Sequence, residues 1–405
     1  MKNILFILFL MQVSLFLTGQ ENSKKNKEIT LKISGKIVKD TTFRFINIEN
    51  GKMVDPQKMN DFKDIRIENP YNTWNYWNGV IHIAFNRLSE ELKDNSYRDI
   101  SVGRYNFAFQ KSEMFEKNYH GFNKWNYTFG QYLVTQELDD CGAMTAGLVD
   151  IYQYKKNPQY YKYMIKVADF MMNKNPRLKD GTFARPGPKN QTIWADDLYM
   201  SVPFLARMGH ITDDSKYYDE AIKQVEKYAE YLMNPATNLY YHCWYSESEM
   251  NGAATWGRCN GWIMMAQVEL LNFLPSDHPK RDRMVKLLLK QIVGVSRYQS
   301  QQGMWYQLLD KPDSYLETSA TAMFIYSIAR AVNQGWIDKS FLTIAENGWK
   351  GLQEKIDQEG NVGGICVGTS IEDNLVYYYN RPNEVNDIHG LGPIILAGIE
   401  MMKSE

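Results

Sequence analysis

The stretch NLYYHCWYSESEMNGAATWGRCNGWIMMAQVELL, residues 238–271, holds the unit from which the fold is read. It opens on a turn residue, Asn238, continues through an aromatic strand-like piece, Leu239 to Trp244, and ends in a helix, Trp262 to Leu271, that is apolar or small almost all round. A helix with no polar face must be buried on both sides. Just upstream, Asp213 to Leu232 places Tyr218, Ile222, Val225, Ala229 and Leu232 on one stripe with Lys and Glu opposite. That pattern is a surface helix with one buried face.

The alternation recurs. Pieces equivalent to 238–244 stand at Gly181-Thr182-Phe183, Gly303-Met304-Trp305-Tyr306 and Gly360-Asn361-Val362. Helices apolar on nearly every side begin near Trp77, Asp140, Asp197, Asn260, Thr318 and His389, about 57 to 70 residues apart. Inner and outer helices alternating in this way close most economically into an all-α (α/α)6 barrel over residues 71–405. Pro203 requires its inner helix to start late or bend. Every inner helix is then entered from one end, so the segments around Trp77, Asp140, Asp196, Arg258, Tyr315 and Asp387 share a single mouth. Helix N-termini aimed into it favour an anionic ligand.

Upstream of the repeat, Lys2 and the apolar run Ile4 to Leu17 read as a cleaved signal peptide over residues 1–20, too short to span a bilayer comfortably. The mature chain is expected outside the cytoplasm, with no membrane anchor. Residues 21–70 read as a polar N-terminal extension of undisclosed role, with a strand at Ile29-Thr30-Leu31-Lys32-Ile33. A net charge of −1 advertises no nucleic-acid surface. Cys141, Cys243, Cys259 and Cys366 are scattered without metal spacing. Export permits disulfides, but a chain this long does not need them. Neither a metal nor a cofactor is expected.

Two acidic pairs, Asp139-Asp140 and Asp196-Asp197, stand at inner-helix starts. The plain reading of any one of them is an N-cap. With two pairs at one mouth, one member of each can cap while the other faces the cavity, and paired carboxylates in a closed site split in pKa. Arg258 precedes an apolar helix, where an unpaired guanidinium is costly, so it is expected to meet an Asp or an anionic substrate. Trp194, Trp256 and Trp262 flank these groups as stacking platforms for a sugar would, although each alone also fits wall packing.

Trp194-Ala195-Asp196-Asp197-Leu198-Tyr199-Met200 with Pro203-Phe204-Leu205, Tyr241-His242, and Trp256-Gly257-Arg258-Cys259-Asn260-Gly261-Trp262 together resemble glycoside hydrolase family 105. Leu138-Asp139-Asp140-Cys141-Gly142 and Trp77-Asn78-Gly79 resemble positions in the same family and in the related family 88. The likeness covers roughly residues 71–405, and Cys259 stands where the family usually has Gly. Members are unsaturated rhamnogalacturonyl and glucuronyl hydrolases. The resemblance implies an anionic oligosaccharide substrate, Asp196 as general acid and base, and Asp140 as the second carboxylate. It implies that Trp194, His242, Trp256, Arg258, Asn260 and Trp262 line the uronyl pocket. The rivals are an inverting glycosidase on the same barrel, with Asp140 and Asp196 as separate acid and base, and a non-catalytic sugar-binding protein. A sugar epimerase would want histidine bases, and the chain has only six His.

Overall fold

The computed structural model describes residues 2–403, with side chains from residue 21 onward; the expected leader lies outside the described side chains. In chain order the helices are α1 (Lys2–Asp40), α2 (Tyr76–Leu92), α3 (Ser96–Lys117), the one-turn α4 (Gly130–Leu133), α5 (Gly142–Tyr154), α6 (Pro158–Asp169) and α7 (Val202–Thr212). They continue with α8 (Ser215–Leu232), α9 (Gly257–Phe273), α10 (Arg281–Ser296), α11 (Thr318–Asn333), α12 (Leu342–Gln353), the short α13 (Leu375–Tyr379) and α14 (Ile388–Met401). Helix α2 packs on α5, α5 on α7, α7 on α9, α9 on α11, α11 on α14 and α14 back on α2, which closes the inner ring. Helices α3, α6, α8, α10 and α12 lie outside it, each against the inner helix that precedes it in the chain. The architecture is the expected (α/α)6 barrel.

The side chains explain the two layers. In α9 every residue from Gly257 to Leu271 is buried, whereas α8 buries one stripe that includes Tyr218, Ile222, Val225 and Leu232. The repeated turn is a repeated left-handed backbone: φ is +88° at Gly181, +60° at Asn238, +84° at Gly303 and +82° at Gly360. A Cβ at Gly79 would collide with the Ala143 backbone, and one at Gly142 with the Met200 carbonyl. Those two glycines let α2 approach α5, and the start of α5 approach the segment that enters α7.

The N-terminal region departs from the sequence reading. Ile29 to Ile33 lies within helix α1, not in a strand, and α1 packs against α14 as the sixth outer helix. Asn26, Thr30, Ile33, Ser34 and Ile37 form its buried stripe, at helical spacing. Three of these five are polar, so a count of apolar residues misses the period. Asn26 donates to the Met401 carbonyl at 2.9 Å and accepts from the Trp349 indole at 2.7 Å, which satisfies its buried amide. The strands of this region are β1 (Phe45–Asn47), β2 (Met53–Val54) and β3 (Ile65–Ile67), an antiparallel sheet in the order β2-β1-β3. All four cysteines are buried and free.

Candidate active site

Both acidic pairs sit in short 3-10 turns just before inner helices, Leu138–Asp140 ahead of α5 and Ala195–Leu198 ahead of α7. Pro203 is the second residue of α7, and so the helix begins at Val202, after the pair rather than at it. Upstream, β4 (Thr192–Trp194) pairs antiparallel with β5 (Cys243–Tyr245), with Trp194 opposite Cys243. The Ala195 N–H donates to the His242 carbonyl at 2.9 Å, which brings the Asp196 turn beside His242.

Asp196 keeps 15% of its side chain exposed, and its Oδ2 lies 3.1 Å from His242 Nε2. The contact is close enough for an ion pair but is not aligned as a hydrogen bond, and among the described residues both atoms are otherwise without a partner. His242 Nδ1 is 2.8 Å from the Tyr378 hydroxyl, which already accepts from the Glu372 N–H. A phenolic proton donated to Nδ1 puts the imidazole hydrogen on Nε2, toward Asp196. Burial pushes the Asp196 carboxyl up, but the His242 imidazole and the Arg185 and Arg258 guanidiniums outweigh it and hold the group below its ordinary value.

The adjacent cavity, of about 700 Å³, is walled by Trp77, Trp194, Tyr76 and His389, with Asp139 and Arg185 on its polar side and Trp125 at its rim. Arg185 organises the polar wall. Its Nε donates to Asp197 Oδ2 at 2.9 Å, its Nη2 to Asp197 Oδ1 at 2.6 Å and to Asp139 at 3.0 Å. Its guanidinium lies 4.1 Å from the Trp194 ring centroid. Burial, opposed by Arg185 and reinforced by Asp197, Glu137 and Asp196, raises Asp139 to about 7. On the far wall, Tyr76 Oη lies 2.7 Å from His389 Nε2, and His389 Nδ1 2.6 Å from Asp387.

Several expected placements change. Asp140 does not open onto the cavity: it is fully buried, accepting from Lys124 at 2.6 Å and from the Gln136 and Glu137 N–H groups at 2.9 Å each. The member of that pair facing the cavity is Asp139. Among the described residues Arg258 meets no carboxylate; it donates to the carbonyls of Cys366 and Val367, just before the Gly368 to Ser370 segment that lines the cavity. Asn260 is spent on the Tyr240 N–H and carbonyl, at 2.7 and 2.8 Å. Trp262 packs on Tyr199 with centroids 4.7 Å apart, and Trp256 on His242 at the same distance, while its indole donates to Gln307. These three support the wall from behind. Asp197 is not a cap but the bidentate partner of Arg185.

Arg185, Tyr76, Tyr378 and the Asp387–His389 pair were not singled out for chemistry in the sequence. Arg185 had a signal: two acidic pairs converging on one dry mouth need a cation.

A family model described as Glycosyl Hydrolase Family 88 matches residues 48–405. The chain belongs to Glycosyl Hydrolase Family 88. The match begins before residue 71 and so takes in part of the small N-terminal sheet. Unsaturated rhamnogalacturonyl hydrolase YesR of Bacillus subtilis is 27% identical over 229 residues, covering 55% of this chain and 65% of YesR. An unsaturated 3S-rhamnoglycuronyl hydrolase of Alteromonas is 29% identical over 218 residues, 52% of this chain and 51% of that protein. The matched stretch thus spans between half and two thirds of these relatives. A solved structure from Salmonella enterica, described as a possible member of the GH105 family, superposes with a TM-score of 0.76 at 24% identity, covering 94% of each chain. The unsaturated glucuronyl hydrolase of Bacillus sp. GL1 gives a TM-score of 0.65 at 18% identity, covering 93% of this chain and 96% of that one. Both share the barrel fold of this family 88 chain.

Proposed function

We propose that this family 88 protein is an exo-acting unsaturated uronyl hydrolase, removing a Δ4,5-unsaturated uronic acid from the non-reducing end of lyase-generated oligosaccharides. The observation that carries the reading is the Asp196–His242 pair, unpaired on its reacting atoms beside a cavity with indole walls and one guanidinium. The names of the relatives support a uronyl–rhamnose linkage, as in rhamnogalacturonan or ulvan fragments. The leader-like N-terminus supports export.

In the free protein Asp196 is ionised. An incoming uronate carboxylate adds negative charge to the same cavity and raises Asp196 toward protonation. Protonated Asp196 delivers its proton to C4 of the enol ether, and positive charge develops at C5 and the ring oxygen. Water adds to C5, and its proton returns to Asp196. The C5 hemiketal opens by breaking the bond from C5 to the ring oxygen, and the resulting C1 hemiacetal releases the leaving sugar. One carboxyl serves as both acid and base. His242 orients it, and Arg185 holds Asp139 and Asp197 while offering its remaining face to the substrate anion.

A second reading is favoured by one observation. Asp139 near 7 beside an ionised Asp196 is the kind of split pair an inverting glycosidase uses. Turnover in heavy-oxygen water, quenched early and read by mass spectrometry, separates the two. Hydration places the label on C5 of the released keto-uronate, and a substrate with a saturated uronyl ring is not cleaved. Cleavage of the saturated analogue with label at C1 would replace the hydrolase reading by the inverting one.

A further inference from the structure

The catalytic cavity continues past its rim. Trp125, on the loop between α3 and α4, lines the cavity beside Asp139 and is 42% exposed. It also lines a second depression, of about 300 Å³, bounded by Arg66 and Asn69 of the N-terminal sheet region and by Asn75, Asn126 and Gln131. The indole is therefore a wall common to both. An exposed indole between two hollows of mixed polar and apolar lining is a stacking surface for a ring with one apolar face.

The second hollow carries unspent hydrogen-bonding capacity. Gln131 is 1% exposed, its Nε2 donates to Asp140 at 3.3 Å, and its Oε1 has no partner among the described residues. Buried acceptors are almost always paired, so an orphan at a concave surface points to a donor that arrives with a ligand. Asn75 precedes α2 without capping it. The cations nearby are already engaged: Lys124 pairs with Asp140 and Glu137, and Arg66 Nη1 donates to the Lys63 and Ile65 carbonyls. Arg66 keeps its charge, since carbonyls accept its N–H groups without neutralising it, but the rest of the lining is rich in amides, which suits neutral sugar hydroxyls.

We infer that Trp125 and this hollow form a distal subsite for the neutral sugars on the reducing side of the unsaturated ring. The inference rests on the uronyl-hydrolase reading and extends it to chain length. It also gives residues 41–70 a task. Thr128 Oγ donates to the Ile65 carbonyl at 2.7 Å, and Asn69 Nδ2 to the Thr42 carbonyl at 2.7 Å, so the small sheet fixes the loop that presents Trp125.

Two substrates test it: a Δ4,5-uronyl methyl glycoside, and the same uronyl group on a neutral trisaccharide. The wild-type protein should show higher kcat/KM on the trisaccharide, chiefly through KM. Trp125→Ala should lower kcat/KM on the trisaccharide roughly tenfold more than on the methyl glycoside, and Trp125→Phe should recover part of that difference. Equal wild-type kcat/KM for both substrates, or equal losses in Trp125→Ala, would overturn the subsite while leaving the hydrolase reading intact. Wild-type turnover of neither sinks the hydrolase reading and the subsite with it.

Discussion

The two ends of the barrel use the same residue types for opposite purposes. At the C-terminal ends of the inner helices, Glu269 accepts from Arg87 at 2.8 and 3.0 Å, lies 2.8 Å from Arg207, and accepts from the Tyr326 hydroxyl at 2.6 Å. Arg207 also grips Asp150, at 2.8 and 3.1 Å, and Arg330 donates to Glu400 at 3.1 Å. Burial alone would raise Glu269, but two guanidiniums and a phenol bring it down to about 2. At the mouth, Arg185 is shared between Asp139 and Asp197 with Asp196 close by, and Asp139 rises to about 7. Burial is common to both carboxyls; the number of cations per carboxylate differs. The carboxylates of the base are each paired with a guanidinium and are structural. The mouth is short of positive charge and leaves Asp196 Oδ2, His242 Nε2 and the Trp194 and Trp77 indole N–H groups without partners.

The contrast is broken most directly at Asp196. Asp196→Asn keeps shape and removes the proton carrier, so kcat should fall roughly 10²–10⁴-fold at unchanged melting temperature; near-normal turnover would mean the unpaired mouth is not where the chemistry occurs. Glu269→Gln should do the reverse. It strands the Arg87 guanidinium and leaves Arg207 with Asp150 alone, costing about 3–5 kcal/mol in denaturant unfolding, while the folded fraction keeps its kcat. A kcat defect at constant stability would show that the base takes part in the reaction.

Asp197→Asn weakens the bidentate grip on Arg185. It should cost about 1–3 kcal/mol of stability and raise KM for the anionic substrate more than it lowers kcat. A loss confined to kcat would place Asp197, not Asp196, in the proton-carrying role.

The smallest effect expected is a pH dependence of opposite sign at the two ends. Asp139 is raised from 3.8 to about 7, so the stability gained by keeping it protonated is complete below its ordinary value and is lost as pH rises through about 7. Glu269 is lowered from 4.5 to about 2, so its contribution is present above its ordinary value and is lost as pH falls through about 2. Asp139→Asn should therefore flatten the decline in stability between pH 4 and 7 by roughly 1–2 kcal/mol, allowing for relaxation around the pair. It should also abolish any fall in kcat/KM near pH 7 that comes from a second negative charge in the mouth. An unaltered profile in Asp139→Asn would mean that another group titrates there.

The sequence by itself determined the barrel, because burial leaves a one-dimensional record. Helices apolar all round, such as Trp262 to Leu271, have to be inside, and amphipathic ones, such as Asp213 to Leu232, outside. It located the mouth as well, since the segments before the inner helices must share one end, and the motif around Trp194 and Asp196 marked the family. It did not reveal that α1 completes the outer ring, because Asn26, Thr30 and Ser34 write a buried stripe in polar letters. Nor could it choose between neighbouring carboxyls. Asp139 and Asp140 are identical in type and adjacent in the chain, and only the surrounding three-dimensional structure sends one to Lys124 and backbone N–H groups and the other to the cavity. The same holds for Arg258, whose partners at Cys366 and Val367 lie more than a hundred residues away. A charge is assigned its role by what it pairs with, and pairing across a closed ring is a property of the tertiary structure alone.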